Sequence, residues 1–581
     1  MNRTTVGAGV LPSGRQGGGV GHALRDALVR VGPALLIILW VLAFVFAPMV
    51  IMGVYSLWQY ENFEMLRNWT VENYTELVTS TIYLRVLWRT IQIAGLTTIF
   101  CVLLAYPFAY FLARGVRRWR ELLVIMVMIP FWTSFLVRTY AWMSILGEHG
   151  VLNEAMLQLG LIRQPLQVLY TTTAVIIAAT YLFIPFAILT LYSSLEKLGP
   201  STEEAALDLG ATPWQAFRRI TLPLSAAGIQ AAVLFVFVPA LGLFVTPALL
   251  GGTRATMIGN VQVTIFKNAM NFGLGSSISF VVLALAMLFV AGLGRSVDLD
   301  KVYAGGVGDV ARARQSEHPP LRALGIYAVL MYVFLYLPIT FLIIFSMNNS
   351  PTASFPWQGF TLKWYREVIH DPWMINSVRN SLMIACLTAL ISVVVAAPAA
   401  YAMVRFRFPG RNLLKQSLII PMIIPSIMLG FALLILFTAF GIDLSVVTVL
   451  IGHVTYVLPY VFFVVAAQQY GFDKTLEEAA MDLGANRWVT FRRVTLPLMV
   501  PGLLAGGLFA FTLSLDEFII TFLLTGTLQT LPLFVWGMLR TMVSPTVNAV
   551  GTLIVIAAFV VVLAAQFRDR LRRRQGLTAA D

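Results

Sequence analysis

One polar segment occurs twice in this otherwise apolar chain. Residues 203–224 read EEAALDLGATPWQAFRRITLPL and residues 477–498 read EEAAMDLGANRWVTFRRVTLPL, so sixteen of the 22 positions are identical. Apolar residues make up 59% of the sequence and the mean hydropathy is +0.82, values that lie outside the range of soluble globular domains. The sequence therefore predicts a duplicated integral membrane protein in which the repeated segments are polar surface elements.

Twelve apolar runs are long enough to cross about 30 Å of hydrocarbon at about 1.5 Å per residue. They lie near residues 33–57, 86–113, 121–146, 171–194, 226–250, 275–294, 323–347, 378–404, 416–440, 447–469, 501–525 and 547–567. We predict an all-α polytopic membrane protein whose twelve transmembrane helices form two six-helix repeats. Six is an even number, so the two repeats run in parallel orientation and are expected to enclose a pathway.

The basic residues indicate how the chain is oriented. Between the predicted spans, 29 Lys and Arg lie on the side that holds both termini, against seven on the other side. By the positive-inside rule, both termini and both repeated segments are expected to be cytoplasmic. The net charge of +13 is thus assigned to the membrane surface rather than to nucleic acid.

The same pattern predicts the domain boundaries. We expect a disordered cytoplasmic tail, two permease-like halves joined by a cytoplasmic linker, and a basic cytoplasmic tail. In chain order these parts cover residues 1–30, 31–294, 295–322, 323–567 and 568–581. Equivalent positions of the two halves are 291 residues apart up to the pair Pro130 and Pro421. From the pair Pro185 and Pro459 onwards they are 274 residues apart. The first half therefore carries about 17 extra residues near 147–170.

Each repeated segment has the sequence of a bent pair of short helices. Ser201-x-x-Glu204 and Thr475-x-x-Glu478 predict capping boxes at the start of the first helix of each pair. Gly210 and Gly484 can take a positive φ at the end of that helix, and a second short helix can begin just after them.

The repeated segments also carry a candidate docking surface. Two small residues in each copy would let a partner approach closely, and one tryptophan in each copy would serve as an apolar anchor. The candidate residues are Glu204, Ala205, Ala206, Gly210, Trp214, Glu478, Ala479, Ala480, Gly484 and Trp488. The alternative is an amphipathic helix that only lies on lipid, with its arginines as ordinary positive-inside residues.

The spacing Glu-Ala-Ala-x3-Gly-x9-[Ile/Val]-x-Leu-Pro, present from Glu204 and again from Glu478, resembles the EAA loop of ABC importer permeases. The resemblance covers nearly the whole chain. It implies a MetI-like type I importer fold in which the two loops couple the chain to two ATPase subunits. Flanking motifs, among them Leu136-Val-Arg138-Thr-Tyr140 and Ser514-Leu-Asp516-Glu517-Phe518, resemble the paired permeases of spermidine/putrescine transporters. The chain is therefore similar to a fusion of two such permeases.

Two adjacent carboxylates form a candidate substrate contact. We expect Asp516 and Glu517 to lie inside a strongly apolar helix, about 23 Å from its cytoplasmic start at Pro501. Buried ionisable groups in a membrane usually face an aqueous cavity or a partner, and a cationic amine would suit a carboxylate. A structural ion pair with Arg138 at similar depth is the alternative. Gly242 and Leu243 stand at the matching positions of the first half, which predicts an asymmetric pathway.

Tyr140 and Trp142 are further pathway candidates, since aromatic faces attract cations. Anchoring of the rings at the membrane interface is their alternative role. The five histidines show no metal-ligand spacing, so no metal site is expected.

The sequence lacks the Gly-x4-Gly-Lys-Ser/Thr motif that cradles ATP phosphates. We therefore expect no cofactor on this chain and no enzymatic activity of its own, with ATP and Mg²⁺ bound by partner ATPase subunits. A separate extracytoplasmic substrate-binding protein and a location in the bacterial inner membrane follow from the resemblance. Two alternatives stay open: an ABC permease for iron, thiamine or a phosphonate, and an ion-driven secondary transporter.

Overall fold

The computed structural model describes residues 32–61, 64–116, 119–130, 133–198, 201–294, 322–351, 357–541, 545–557 and 559–560. The expected N-terminal tail (1–30), the linker (295–322, apart from its last residue) and the basic C-terminal tail (568–581) lie outside these residues. The last predicted span, 547–567, is described only in its first part.

The described part of the first half contains twelve α-helices, a short π-helix at Pro247–Gly251 after the break of the fifth span, and one small hairpin near its start. The strands are β1 (Trp58–Glu61) and β2 (Glu64–Trp69), paired antiparallel. The helices are α1 (Gly32–Ser56), α2 (Glu72–Thr79), α3 (Thr81–Gly115), α4 (Arg120–Met128), α5 (Phe135–Leu146), α6 (Val151–Gln158), α7 (Thr172–Lys197), α8 (Ser201–Asp208), α9 (Pro213–Leu224), α10 (Ala226–Leu241), α11 (Ile258–Val263) and α12 (Phe272–Gly294). Helix α6 lies in the segment that the offset change marks as extra in this half.

The second half repeats this order of helices. Its described helices are α13 (Arg322–Ser346), α14 (Lys363–His370), α15 (Pro372–Arg405), α16 (Arg411–Ile423), α17 (Ser426–Ala439), α18 (Val446–Tyr470), α19 (Thr475–Asp482), α20 (Arg487–Asp516), α21 (Ile519–Leu524), α22 (Leu531–Thr541) and α23 (Pro545–Ala557).

Among the described residues, eight helices are long and apolar enough to cross a membrane by length and composition, or ten if each of two bent helix pairs is one span. The bent pairs are α9 with α10, at 61°, and α16 with α17, at 104°. The two remaining predicted spans, 121–146 and 547–567, correspond to the shorter helices α4, α5 and α23. The count of twelve therefore stays a prediction.

The third and fifth spans of each half are broken, whereas the sequence predicted continuous helices. In the third spans, Ser134 and Pro425 are extended, at ψ 133° and 136°, and stand at equivalent positions. Ile424 is extended as well, because a residue that precedes proline is disfavoured in the helical region. The fifth spans end as helices at Leu241 and Asp516, which are one residue apart when the two halves are aligned. The expectation that Asp516 and Glu517 lie within one helix was thus wrong.

The first helix of each half packs against the other half. In α1, the Trp40 Nε1 donates to Thr455 Oγ1 of α18 at 3.1 Å. In α13, Tyr327 OH donates to the Leu104 carbonyl at 2.6 Å and Tyr336 OH to the Met126 carbonyl at 2.8 Å. The Met126 carbonyl is the one that Pro130, four residues later, cannot bond because proline has no N–H. Helices α1 and α13 therefore join the halves, and α13 also satisfies a carbonyl group that the proline frees.

The chain path places both repeated segments at the same end of the molecule. Gly325, near the start of α13, lies beside Phe111 at the end of α3, which adjoins the first segment. Helix α13 leads away from that end, and after α14 the 34-residue helix α15 returns. Arg405 at the end of α15 contacts Glu477 of the second segment. Two copies of one surface element are thus presented on one face.

Candidate functional site

The two repeated elements, residues 201–224 and 475–498, have the same backbone geometry. The first short helix of each ends at a glycine with positive φ, +88° at Gly210 and +89° at Gly484. Beyond these glycines, the N–H groups of Ala211 and Ala485 donate to the carbonyls of Ala206 and Ala480, at 3.0 and 3.1 Å. This is the Schellman arrangement, in which a left-handed residue lets the chain turn back on its own helix end. The bent helix pair predicted from the sequence is therefore present in both copies.

The caps of the second short helix agree with the sequence, but a predicted cap of the first does not. Thr212 and Asn486 accept the N–H groups of Gln215 and Val489 at the start of α9 and α20. In the second element, however, Thr475 is already helical, and its N–H donates to Asp473 Oδ1 at 3.0 Å. The predicted capping box at Thr475 and Glu478 is therefore wrong, because Lys474 is the N-cap residue and the Asp473 carboxylate accepts the Thr475 N–H.

The first element gives a similar result for its capping box. Helix α8 already includes Ser201, and the two residues before it lie outside the described part of the chain. Ser201 therefore occupies a helical position rather than the N-cap position that the sequence predicted.

Each element exposes a leucine and a tryptophan to the same extent. Leu209 and Leu483 are both 90% exposed, and Trp214 and Trp488 are 67% and 68% exposed. Each tryptophan stacks on a phenylalanine one turn later, which fixes its orientation. Fully exposed large apolar side chains on a rigid turn are typical of a surface that is covered by a partner.

The other candidates of the repeated elements line the same turn. Ala205 and Ala479 are exposed, whereas Ala206 is buried and Ala480 is partly buried. Glu478 is exposed and Glu204 is partly exposed. The small-residue face is therefore open at its first alanine in both copies.

The carboxylate of Asp516 joins the broken spans of the two halves. Its Oδ1 and Oδ2 accept from the Phe135 N–H at 2.9 and 3.2 Å, at the start of α5. Arg138, one turn further along α5, has its Nη2 4.0 Å from Asp516 Oδ2. The Arg138 side chain is buried at 4% exposure, while that of Asp516 keeps 34%. Asp516 thus caps a helix of the other half and contacts Arg138 while one side of it stays accessible.

Glu517 and His453 hold the break in the fifth span of the second half. Glu517 Oε1 accepts from the Ile520 N–H at 3.0 Å and so caps α21. The His453 ring is buried and spans the break, with Nδ1 2.8 Å from Ser514 Oγ and Nε2 2.7 Å from Thr521 Oγ1. Glu517, His453 and these hydroxyls line one narrow cleft.

The break of the first half has different contacts, since Gly242 and Leu243 replace the two carboxylates and Asn260 Nδ2 donates to the Phe244 carbonyl at 2.9 Å. Gly242 stands where the second half has Asp516, and a Cβ added there would lie 2.6 Å from the Pro425 Cβ. Pro425 is itself the equivalent of Ser134. One junction between the halves is therefore built by a carboxylate and an N–H group, and the other by close apolar packing. The asymmetry that the sequence predicted is present in the structure.

Tyr140 and Trp142 lie in the packed interior in this conformation. Tyr140 is fully buried and Trp142 is 6% exposed. The Trp142 ring contacts Tyr181 of α7 and Phe334 of α13, with ring centroids 5.6 and 5.7 Å away. These aromatics therefore build the contact between the first half and α13, and their role toward a cation stays a prediction. Within the described residues, no group of three or more His, Cys, Asp or Glu is placed to hold a metal ion.

Comparison with known proteins decides the class of this chain. The family described as "Binding-protein-dependent transport system inner membrane component" matches residues 31–298 and 377–574, far more than half of the chain. The chain belongs to this family. Its two matched regions correspond to the two halves of the structure, so one chain contains two units of the family.

Curated relatives of this transport component cover one such unit each. The spermidine/putrescine transport system permease protein PotB of Haemophilus influenzae is 41% identical over 38% of this chain and 77% of its own length. PotB of Escherichia coli is 40% identical over 43% of this chain and 92% of its own length. The permease protein PotC of Escherichia coli is 35% identical over 43% and 96%. Each relative thus matches less than half of this chain with most of its length, which confirms the resemblance to a two-permease fusion.

Two sets of residues in the site were missed from the sequence. Leu209 and Leu483 are invariant between the repeated segments and stand directly before the turning glycine, a signal that could have marked them. His453 shows no comparable signal. Its two partners lie 61 and 68 residues away in sequence, and only the break in the fifth span brings them to opposite sides of one ring.

Proposed function

We propose that this inner-membrane transport component imports polyamines, or related small cationic solutes, by ATP-driven switching of the pathway between its halves. Two ATPase subunits dock on the repeated elements and supply the energy, with ATP and Mg²⁺ bound on those subunits. A separate extracytoplasmic binding protein delivers the cargo to the opposite face. Both termini are then cytoplasmic, on the side of the repeated elements.

The observation that carries the docking role is the match between the two elements. Gly210 and Gly484 differ by one degree in φ, and the leucines before them are equally exposed. Two identical convex turns on one face suit two copies of one partner better than they suit lipid, because the most exposed apolar side chains stand at the tips of the turns.

The cargo assignment rests on Asp516 and Glu517, together with the names of the relatives. A carboxylate that keeps a third of its surface accessible, at a break between the halves, offers a contact for an ammonium group. The cap contacts to Phe135 and Ile520 hold both carboxylates in place before any cargo arrives. Such preorganisation lowers the cost of binding a cation.

The ion-driven alternative expects no matched helix pairs after the fourth span of each half. The structure contains both pairs, α8 with α9 and α19 with the start of α20. Family membership also favours an ATP-driven system. The other alternative, an ABC permease for iron, thiamine or a phosphonate, differs only in cargo and is separated by the test below.

The test is uptake of labelled spermidine by vesicles that contain this chain, its ATPase subunits and its binding protein. We expect uptake that requires ATP inside the vesicle and that falls at least tenfold when Asp516→Asn and Glu517→Gln are combined, since the ammonium contact is lost. Uptake driven by an ion gradient in vesicles without ATPase subunits contradicts the proposal.

Matched variants separate the carboxylates from general damage. Asp443→Asn removes an exposed carboxylate from the loop between α17 and α18 and should leave uptake unchanged. A double amide variant that transports spermidine normally excludes a cationic cargo contact at this site. Competition of iron, thiamine or a phosphonate with spermidine for uptake would favour the alternative cargoes.

A further inference from the structure

The longest described helix of each half, α3 and α15, is held near its inner end and again 24 residues earlier by side chains at equivalent positions of the two halves. At the inner end, Arg114 of α3 pairs with Glu203, with Nε 3.8 Å from Oε2. In the second half, Arg405 of α15 pairs with Glu477, with Nη2 3.1 Å from Oε1. All four side chains are at most 15% exposed. Each repeated element is therefore attached to one long helix by a buried ion pair.

Further contacts at the inner end complete the attachment. Thr221 and Thr495 donate to Glu203 Oε2 and Glu477 Oε1, at 3.3 and 2.8 Å. Tyr110 of α3 also donates to Glu203 Oε1 at 2.6 Å. The carboxylate thus holds the second short helix of the element as well as the long helix. The glutamate involved is Glu203 or Glu477, directly before the Glu-Ala-Ala unit, and not Glu204 or Glu478 of the docking surface.

Nearer the outer end, the same two helices hold the chain that follows the broken fifth span. Thr90 Oγ1 of α3 accepts from the Ile258 N–H at 2.9 Å, and Ser381 Oγ of α15 accepts from the Leu531 N–H at 2.8 Å. Thr90 and Ser381 are equivalent positions, 291 residues apart. Each lies 24 residues before the arginine of its helix, a distance of about 36 Å along the axis.

We propose that α3 and α15 are rigid struts that transmit movement of each repeated element to the outer segment behind the broken fifth span. The ion pairs Arg114–Glu203 and Arg405–Glu477 are the inner pins of these struts, and the hydroxyls of Thr90 and Ser381 are the outer pins. This inference rests on the proposed function, since it names the path by which the ATPase subunits act on the pathway.

A buried ion pair can hold a helix and a repeated element together firmly, because separating the two charges is costly and the distance between them is fixed. Removing one partner leaves an uncompensated charge, whereas replacing both by apolar residues is often tolerated by the fold. Replacing both residues of the ion pair can therefore abolish this contact while the chain still folds. A helix held at both of its pins moves as one body, which is the physical requirement for coupling across the membrane.

The test uses the complete transporter in vesicles and measures spermidine imported per ATP hydrolysed. In the variant Arg405→Leu with Glu477→Leu, we expect this ratio to fall about tenfold, while the purified chain still inserts. The outer-pin variant Ser381→Ala should lower the same ratio by about threefold, because one hydrogen bond is lost rather than an ion pair. The ratio reports coupling, and a loss of folded protein alone does not change it.

The control is a hydrogen-bonded pair at the same end that belongs neither to the repeated elements nor to α3 or α15. The Arg411 Nη2 of α16 donates to Tyr470 OH at the end of α18 at 3.2 Å, and Arg411→Leu with Tyr470→Phe should keep the ratio within about twofold of the parent. The proposal is overturned if the Arg405 and Glu477 double variant keeps the parent ratio, or if the control loses as much. If the inner-pin variant fails to insert, an unchanged ratio in Ser381→Ala overturns the proposal. A parent transporter whose ATPase is not stimulated by loaded binding protein contradicts the proposed function itself.

Discussion

The repeated elements of the two halves have closely matching turns and exposed side chains, whereas the breaks of the two fifth spans are held by different contacts. The elements share their turning glycines, their exposed leucines and their stacked tryptophans. At the breaks, Asp516 bonds to an N–H group of the other half, whereas its equivalent Gly242 packs against a proline ring. A duplicated chain has thus kept one surface constant and changed another.

The connection from element to fifth span also differs between the halves. Helix α9 meets α10 at 61°, whereas α20 continues without a break from Arg487 to Asp516. Ser225 stands at the break of the first half, donates to the Leu222 carbonyl at 3.0 Å and shares a hydrogen bond with Tyr106. In the second half, Met499 stands at the position of Ser225 and Ala397 at the position of Tyr106, and neither side chain can form these bonds. A serine hydroxyl that bonds a backbone carbonyl of the preceding turn often accompanies a bend in a helix.

The largest effect is expected where the halves are most alike. Leu209→Asp and Leu483→Asp each place a charge on the most exposed apolar tip, so each should weaken binding of the ATPase subunit at least thirtyfold, or about 2 kcal/mol. The measurement is the Kd of the purified ATPase subunit for the detergent-solubilised chain. Leu159→Asp, at an exposed leucine just after α6 on the opposite face, is the control. Clearly unequal effects of the two variants would break the equivalence of the elements.

The next effect tests the apolar junction of the first half. Gly242→Ala places a Cβ against the Pro425 ring, so we expect a loss of about 2 kcal/mol in stability from overpacking. The thermal unfolding midpoint of the purified chain is the measurement. Gly292→Ala, in the apolar helix α12 with open space around its Cα, should not lower that midpoint. A neutral Gly242→Ala would show that the two junctions are less different than their contacts indicate.

A smaller loss of stability is expected when His453, which bridges Ser514 and Thr521 across the break in the second half, is replaced. His453→Ala copies the first half, where Ala179 is the equivalent residue, and leaves Ser514 and Thr521 without the ring between them. We expect a loss of about 1 to 2 kcal/mol, since Thr521 still donates to the Glu517 carbonyl. The same unfolding measurement applies, with His370→Ala at an exposed site as the control. An unchanged midpoint would show that the break does not depend on the ring.

The smallest effect on stability is expected at Asp473, which caps the second repeated element and has no carboxylate counterpart in the first half. Asp473 accepts the Thr475 N–H, which holds the pKa of Asp473 below its usual value, and Gly199 is its counterpart in the first half. Because the pKa is depressed in the folded state, the stabilisation is present at neutral pH and is lost as the pH falls below about 4. Asp473→Ala should therefore lower the unfolding midpoint slightly at pH 7, and by progressively less as the pH falls below about 4. A difference in midpoint that does not shrink as the pH is lowered would exclude the cap as its cause.

Much of the site could be predicted from the sequence because its determinants are local. The turn at Gly484 depends on the conformational freedom of one glycine and on caps a few residues away. The capping box at Thr475 was predicted wrongly because Asp473, two residues earlier, competes for the same N–H group. Arg138 could be suggested as a partner of Asp516 because both residues were expected at a similar depth in the membrane. The distance of 4.0 Å between their charged atoms could not be predicted from the sequence.

The sequence by itself determined the membrane character, the duplication, the family and the turns at Gly210 and Gly484, since hydropathy, repeat spacing and glycine conformation are properties of short segments. Only the tertiary structure decided that α1 and α13 exchange between the halves, that the third and fifth spans break, and that Asp516 caps a helix of the other half. These features arise from contacts between residues hundreds of positions apart, such as Phe135 and Asp516. Such contacts exist only after the halves have packed, because the hydrogen bonds that a helix break leaves open must be completed by whichever chain lies beside it.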